Sequence, residues 1–129
     1  MPSLGKEERL CDRSIIIQLS KKGSTFTIYP LRVNWLFTSL PSAYPAQVLI
    51  AVNRRTLRKA VDRNTVKRMI REAYRQNKTI IYDTLQKMGK QCALSLVYVA
   101  DKKVSYKEIE PIIIVILRRL VSEYERSAG

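Results

Sequence analysis

The spacing of apolar and polar positions in the first half of the chain predicts one helix followed by strands. Asp12 is suited to cap a helix over residues 13–22, where apolar side chains recur at helical spacing, and Gly23 follows as a stop. Apolar side chains then occupy every second position of residues 31–37, which predicts a strand with one buried face. Residues 47–52 predict a second, apolar strand.

The middle of the chain predicts a long helix, its continuation and another strand. The helix lies within residues 53–76 and is strongly basic. Residues 77–90 continue it or connect it onward, with Gly89 as a stop. Residues 91–100 are apolar with an alternating pattern and predict a strand.

A capping box opens the last predicted helix, because Ser105 and Glu108 each satisfy a backbone donor of its first turn. Apolar residues follow at i, i+3, i+4 and i+7 spacing, and Pro111 in the second turn predicts a kink or a late start. Five aromatic residues of the chain occupy inward-facing positions and are expected in the core: Trp35, Phe37, Tyr74, Tyr98 and Tyr124.

The order helix, two or more strands, helix, strand, helix predicts one α+β domain over residues 1–129, without internal repeats. Residues 1–11 are polar and charged and are predicted to form a flexible basic arm. The chain length is that of a single domain, and 46% hydrophobic residues are enough for a core.

The net charge limits the kinds of partner that the protein is expected to bind. Lys and Arg number 24 against 11 acidic residues, a formal +13, and such self-repulsion favours a polyanionic partner. The apolar run 112–117 is far short of the roughly 20 residues of a membrane span, and the N-terminus lacks a signal-peptide core. A cytoplasmic location without a membrane partner is therefore expected, with Cys11 and Cys92 as free thiols.

Candidate catalytic chemistry is scarce. The chain has no histidine, which removes the commonest general base near neutral pH, and two cysteines are too few for a zinc site. We therefore predict no catalytic residue and no metal ligand in the protein itself.

The basic helix and the segment before it point to nucleic acid. Residues 54–75 hold nine Lys or Arg and two acids, which leaves +7 of the chain's +13. An apolar face of Val66, Met69, Ile70 and Ala73 is predicted to pack on the sheet, and a row of cations repeats every four residues roughly opposite. Cations that contact phosphates release counterions, which supplies affinity that does not depend on the nucleotide sequence.

Two stretches of this region resemble the bacterial ribonuclease P protein family. They are Val52-Asn-Arg-Arg55 and Ala60-Val-Asp-Arg-Asn-Thr-Val-Lys-Arg-Met-Ile-Arg-Glu-Ala-Tyr-Arg75. The resemblance implies an α-β-β-β-α-β-α sandwich, similar to a domain of ribosomal proteins, with a left-handed β-α-β crossover around the basic helix. It also implies the function of a subunit of ribonuclease P, an endonuclease in tRNA processing.

In that family the RNA subunit cleaves the 5′ leader from precursor tRNA with Mg²⁺ ions, while the protein binds the RNA and the leader. The resemblance therefore implies ribonuclease P RNA and precursor tRNA as partners and Mg²⁺ held through the RNA. The residues expected to bind the catalytic RNA are Arg54, Arg55, Arg58, Lys59, Arg63, Asn64, Lys67, Arg68, Arg71 and Arg75.

The leader is expected in a cleft between the first helix and the sheet. By position, the residues assigned to it are Ile16, Ser20, Phe26, Tyr29, Arg32 and Asn34. The chain departs from the family pattern where Thr65 replaces an arginine, and where Leu57-Arg-Lys59 replaces the glycine that commonly precedes Ala-Val.

Three other functions fit parts of the pattern. A non-catalytic RNA-binding protein of ribosomal or assembly type shares the charge and the basic helix. A DNA-binding module would show several uncharged donors on its recognition helix, but this helix offers only Asn64 and Gln76. A basic amphipathic helix for a membrane or an acidic partner would need its apolar face to be free.

Overall fold

The computed structural model describes residues 4–128. A short 3₁₀ turn at Lys6–Glu8 comes first. The remaining elements are α1 (Arg13–Lys22), β1 (Ser24–Ile28), β2 (Leu31–Phe37), β3 (Ala46–Val52), α2 (Ala60–Asn77), α3 (Thr79–Met88), β4 (Cys92–Tyr98) and α4 (Tyr106–Ala128).

The four strands form one sheet in the order β1-β2-β4-β3. β2 is antiparallel to both of its neighbours, whereas β3 and β4 are parallel and are connected through α2 and α3. This arrangement confirms the predicted α+β class and element order, with α3 as an additional helix. The handedness of the β3-to-β4 crossover stays a prediction.

Helices cover the two faces of the sheet unequally. α2, α3 and α4 pack on one face around a core that includes Leu94, Leu96 and Ile113, all 0% exposed. The predicted core aromatics lie on this side, where the Trp35 ring contacts both Phe37 and Tyr124 edge-on, each at 5.2 Å between ring centroids. On the other face α1 covers only the end of the sheet near Leu36, Leu49 and Ala93. Among residues 4–128, no helix packs on the rest of that face.

The helix signals in the sequence are confirmed at several ends. The Asp12 carboxylate accepts hydrogen bonds from the backbone N–H groups of Ser14 and Ile15, at 2.9 and 3.3 Å. The capping box of Ser105 and Glu108 is present, and α4 begins at Tyr106, so the late start is wrong. Gly89 ends α3 with a φ of 65°, a left-handed conformation that glycine adopts without strain.

The N-terminal segment differs from the flexible arm that its polarity predicted. Leu4 and Leu10 are buried, and the backbone of Arg9 forms a parallel bridge with Val48 at the edge of β3. Residues 4–10 are therefore packed on the domain, because two apolar side chains and the exposed strand edge give them partners. Residues 1–3 of the predicted arm lie outside the described part of the chain.

Candidate nucleic-acid interface

Helix α2 has one buried side and one basic side, as its pattern predicted. Val66, Ile70 and Ala73 are 0% exposed against the core. The side away from the core carries a group of polar and basic side chains that we call the cation face: Arg63, Asn64, Lys67, Arg68, Arg71 and Arg75. The helix axis therefore fixes a row of charges on the surface of a rigid element.

The members of the cation face differ in how much of their charge is available. Arg68 and Arg71 are exposed. Arg75 instead donates two hydrogen bonds to the Glu72 carboxylate, at 2.9 and 2.5 Å. These bonds, together with one from Gln76, lower the pKa of Glu72 to about 2, so its carboxylate stays ionised beside Arg75 well into the acidic range. Arg75 therefore contributes less net charge than Arg68 or Arg71.

The loop between β3 and α2 presents a second group of cations. Arg54, Arg55, Arg58 and Lys59 are all exposed. The Asn53 side-chain oxygen accepts a hydrogen bond from the Arg55 backbone N–H at 2.8 Å, and the Asn53 carbonyl accepts one from the Leu57 N–H at 3.1 Å. Leu57, only 4% exposed, anchors the loop in the core. Its charged side chains therefore project from an ordered backbone.

Arg63 ties this loop to the helix. One of its guanidinium nitrogens, Nη1, donates to the carbonyl oxygens of Leu57 and Arg58, at 3.1 and 2.5 Å. This side chain was predicted to contact RNA, and the structure shows it bound to the protein's own backbone. Sequence reasoning missed this role because nothing in the local pattern shows which carbonyls lack partners.

The uncovered part of the sheet forms a second polar surface, which we call the open face. Thr25 pairs with Asn34 and Thr27 pairs with Arg32 across the two strands of the β1–β2 hairpin. The Thr25 hydroxyl donates to the Asn34 side-chain oxygen at 2.9 Å. Ser95 of β4 is the next partner of Asn34. The two threonines were missed, although strand alternation places them beside Arg32 and Asn34.

The residues predicted for the cleft are only partly brought together. Ile16 packs at the margin of the α1 contact, and Ser20 is exposed one turn further along the same side of α1. Arg32 is exposed on the open face. Phe26 does not join them, because its register opposite Val33 turns it into the core, where it is 7% exposed. Tyr29, 69% exposed, lies in the turn of the hairpin.

A buried ion pair connects the N-terminal segment to the junction of α2 and α3. The Glu8 carboxylate, 1% exposed, accepts hydrogen bonds from Lys78 Nζ at 2.6 Å and the Tyr82 hydroxyl at 2.7 Å. Burial alone raises the pKa of Glu8, but these bonds and one from the Gly5 N–H outweigh it and lower that pKa. Sequence reasoning missed the pair because its partners lie 70 and 74 residues away.

Residues 4–128 contain neither a cluster of metal ligands nor a membrane-spanning helix. No group of three or more His, Cys, Asp or Glu side chains there is placed to hold a metal ion. Within the same residues no helix is long and apolar enough to cross a membrane.

Comparison with known sequences gives consistent matches. The family model described as Ribonuclease P matches residues 4–121. The ribonuclease P protein components of two Porphyromonas gingivalis strains, ATCC 33277 and W83, are each 36% identical to this chain over 107 residues. Those residues are 83% of this chain and 78% of each relative.

Comparison with solved structures supports the fold. The RNase P protein of Staphylococcus aureus has a TM-score of 0.70 at 19% identity, covering 89% of this chain and 96% of that one. The RNase P protein of Thermotoga maritima has a TM-score of 0.68 at 23% identity, covering 87% and 96%. At these identities the likeness shows a shared architecture.

Proposed function

The chain belongs to the ribonuclease P protein family, and from that membership we propose how its two polar surfaces serve the enzyme. As a protein component of ribonuclease P it is a subunit of an endoribonuclease that works with an RNA subunit. We assign the docking of that RNA to the cation face and the loop 53–59, and the binding of precursor tRNA to the open face. Cleavage of the 5′ leader, which forms the mature tRNA 5′ end, is the reaction they assist.

The observation that carries the RNA assignment is the one-sided charge of a helix whose other side is buried. Arg68 and Arg71 are exposed, and four further cations lie on the adjoining ordered loop. Fixed arginines suit phosphates because the planar guanidinium donates two parallel hydrogen bonds to phosphate oxygens. Rigid placement also lowers the entropy that is lost when a long side chain binds.

The open face supports the assignment of the leader. Arg32 supplies a charge for a phosphate, while Asn34 and the paired threonines supply uncharged donors and acceptors beside it. Of the two aromatic residues named for the cleft, Phe26 is buried on the other side of the sheet and Tyr29 lies in the hairpin turn. We therefore expect the leader to be held through its backbone more than by stacking of its bases.

Mg²⁺ would be supplied through the RNA in this proposal. The chain has no histidine, and its acidic residues in the described range form no cluster suited to a metal. The protein's part is to lower the repulsion between phosphates that meet at the site, for which cations are sufficient. A cytoplasmic location, where precursor tRNA is processed, completes the proposal.

Two of the alternative functions are disfavoured by burial and chemistry. The apolar side of α2 is occupied by the core, so it is not free to enter a membrane or a groove on an acidic partner. The exposed side carries Arg68 and Arg71 with few uncharged donors, Asn64 and Gln76 among them, which suits phosphates better than the base edges of DNA. A general RNA-binding protein of ribosomal type stays as the second candidate, because the same surfaces would serve it.

Cleavage of precursor tRNA by ribonuclease P RNA at low magnesium tests the proposal directly. We expect cleavage at the mature 5′ end with the protein and little without it. The double variant Arg68→Ala, Arg71→Ala should weaken the stimulation, whereas Lys87→Ala, an exposed charge on α3, should not. Binding of the RNA without stimulation would contradict the subunit assignment and favour the general RNA-binding protein.

The leader assignment has a separate test. Arg32→Ala should weaken binding of precursor tRNA to the assembled ribonucleoprotein and leave binding of mature tRNA, which lacks the leader, unchanged. Lys107→Ala, an exposed cation on α4 across the sheet, is the matched control. An equal loss for both tRNAs would place Arg32 outside the leader site.

A further inference from the structure

A groove opens between the N-terminal segment, the outer edge of β3 and helix α2. Its volume is about 150 Å³, and Leu4, Leu10 and Val48 give it an apolar wall. Arg9 and Arg71 line the same groove. An apolar wall beside two guanidinium groups matches a nucleotide, in which a charged phosphate is joined through the sugar to a base with apolar faces.

In the described part of the chain, neither arginine is paired with an acidic side chain. Within residues 4–128 neither Arg9 nor Arg71 has a hydrogen-bonded or ion-paired side-chain partner. Glu8, the acid next to Arg9 in the chain, is directed inward to Lys78. Two like charges on one groove repel each other, and an anion placed between them would remove that repulsion.

Both arginines are attached to fixed backbone. The Leu10 N–H donates to the Val48 carbonyl at 3.0 Å, directly after Arg9, which itself bridges to Val48. Arg71 follows the fully buried Ile70 on α2. The fold therefore brings together two charges, Arg9 and Arg71, that are far apart in the sequence.

We propose that Arg9 and Arg71 bind one phosphodiester group of ribonuclease P RNA, with the adjoining nucleoside against the apolar wall. This inference rests on the proposed function, since it takes that RNA as the polyanion. It extends the docking surface beyond α2 and its loop onto the N-terminal segment. It also gives a reason for the packing of this segment, which places Arg9 beside the cation face.

The salt dependence of RNA binding tests the contact. Each lost phosphate contact should reduce the slope of log affinity against log salt by about 0.7 to 0.9. We expect this loss for Arg9→Ala and for Arg71→Ala, and a smaller further loss in the double variant because both hold one phosphate. Lys6→Ala is the matched control, since Lys6 is exposed on the same segment and does not line the groove.

Cys11 gives an independent readout because it is exposed and lines the same groove. Burial raises the pKa of Cys92 to about 12, so Cys11 is the thiol that N-ethylmaleimide should modify in the folded protein. Bound ribonuclease P RNA should slow the modification of Cys11 in the natural protein. In Arg9→Ala the same degree of RNA saturation should protect it less.

The outcomes separate this inference from the proposed function. Failure of the natural protein to bind ribonuclease P RNA or to stimulate cleavage would overturn both. A second outcome is that the natural protein binds the RNA while Arg9→Ala matches Lys6→Ala in salt slope and in thiol protection. That result would overturn the proposed phosphate contact in the groove and leave the proposed function standing. Protection of Cys11 by AMP and not by the RNA would assign the groove to free nucleotides and overturn the proposed occupant. Equal melting temperatures of the variants would show that they fold alike.

Discussion

Arg63 and Arg68 lie on the same helix, five residues apart, and differ in what their guanidinium groups contact. Arg63 Nη1 donates to the carbonyls of Leu57 and Arg58, while Arg68 is exposed to solvent. A charge that the fold uses for its own backbone is not equivalent to one left for a ligand. The family motif treats the two positions alike, and the structure distinguishes them.

Replacement of these two residues should therefore give different results. We expect Arg63→Ala to lower the free energy of unfolding by about 1 to 2 kcal/mol, because two charge-assisted hydrogen bonds are lost. RNA affinity should fall as well, since the loop loses its tie to the helix. Arg68→Ala should lower RNA affinity alone. Chemical denaturation and RNA titration of both variants check this, and an unchanged stability for Arg63→Ala would contradict it.

Thr65, where the family usually has an arginine, offers a gain-of-contact experiment. Its hydroxyl donates to the Val61 carbonyl one turn earlier, at 2.9 Å. This hydrogen bond lies within α2 itself, so replacing Thr65 should not disturb the packing of α2 on other elements. We expect Thr65→Arg to strengthen RNA binding and to steepen the salt slope by about 0.7 to 0.9, one phosphate contact. Thr65→Ala, which removes the same hydroxyl without adding charge, should bind RNA like the natural protein.

At the scale of elements, the N-terminal segment depends on one buried carboxylate. Glu8→Gln removes the carboxylate that pairs with the buried Lys78, so we expect the free energy of unfolding to fall by about 3 to 5 kcal/mol. Glu7→Gln, an exposed neighbour, should have little effect. Urea denaturation of both variants measures the difference.

The same carboxylate predicts a pH dependence of stability. The pKa of Glu8 is lowered in the folded state from its ordinary value of 4.5. Its contribution is therefore complete above pH 4.5 and is lost as the pH falls below that value through the folded pKa. The stability difference between the natural protein and Glu8→Gln should shrink over this acidic range, and a constant difference would contradict the assignment.

Elements with local signals were predicted well from the sequence, and those fixed by distant partners were not. The ends of α1, the strand at residues 31–37 and the capping box of α4 depend on neighbours within a few positions. The cation face of α2 follows from helical spacing alone. The N-terminal segment was misjudged because Glu8 and Leu4 gain their partners only when the chain folds.

The candidate site shows the same division. Phe26 was assigned to the cleft by position, but pairing with Val33 fixes the face on which it lies, and a shift of one residue exchanges the two faces of a strand. Arg9 was overlooked because its distance from α2 in the sequence hides its proximity to Arg71. Spatial convergence of charges is a property of the tertiary structure.

For the whole molecule, the formal charge of +13 means that salt should change the stability of the free protein and its affinity for RNA in opposite directions. Raising ionic strength from about 0.01 to 0.1 M shortens the screening length from about 30 to 10 Å, which weakens self-repulsion in the folded protein. We expect the melting temperature of the free protein to rise over this range while its affinity for RNA falls. Calorimetry and filter binding in one buffer series measure both, and changes of the same sign would contradict the prediction.

The position of β4 in the sheet also determines how the chain can fold during synthesis. β4 lies between β2 and β3, yet it is the last strand to be made and begins at Cys92. Until the ribosome has released it, β2 and β3 lack their common neighbour, and only local structure such as the β1–β2 hairpin and α2 can form. Insertion of β4 should therefore limit the folding rate, since it closes long-range contacts in one step. A nascent chain interrupted before residue 92 would be a hairpin and a basic helix with no sheet to join them.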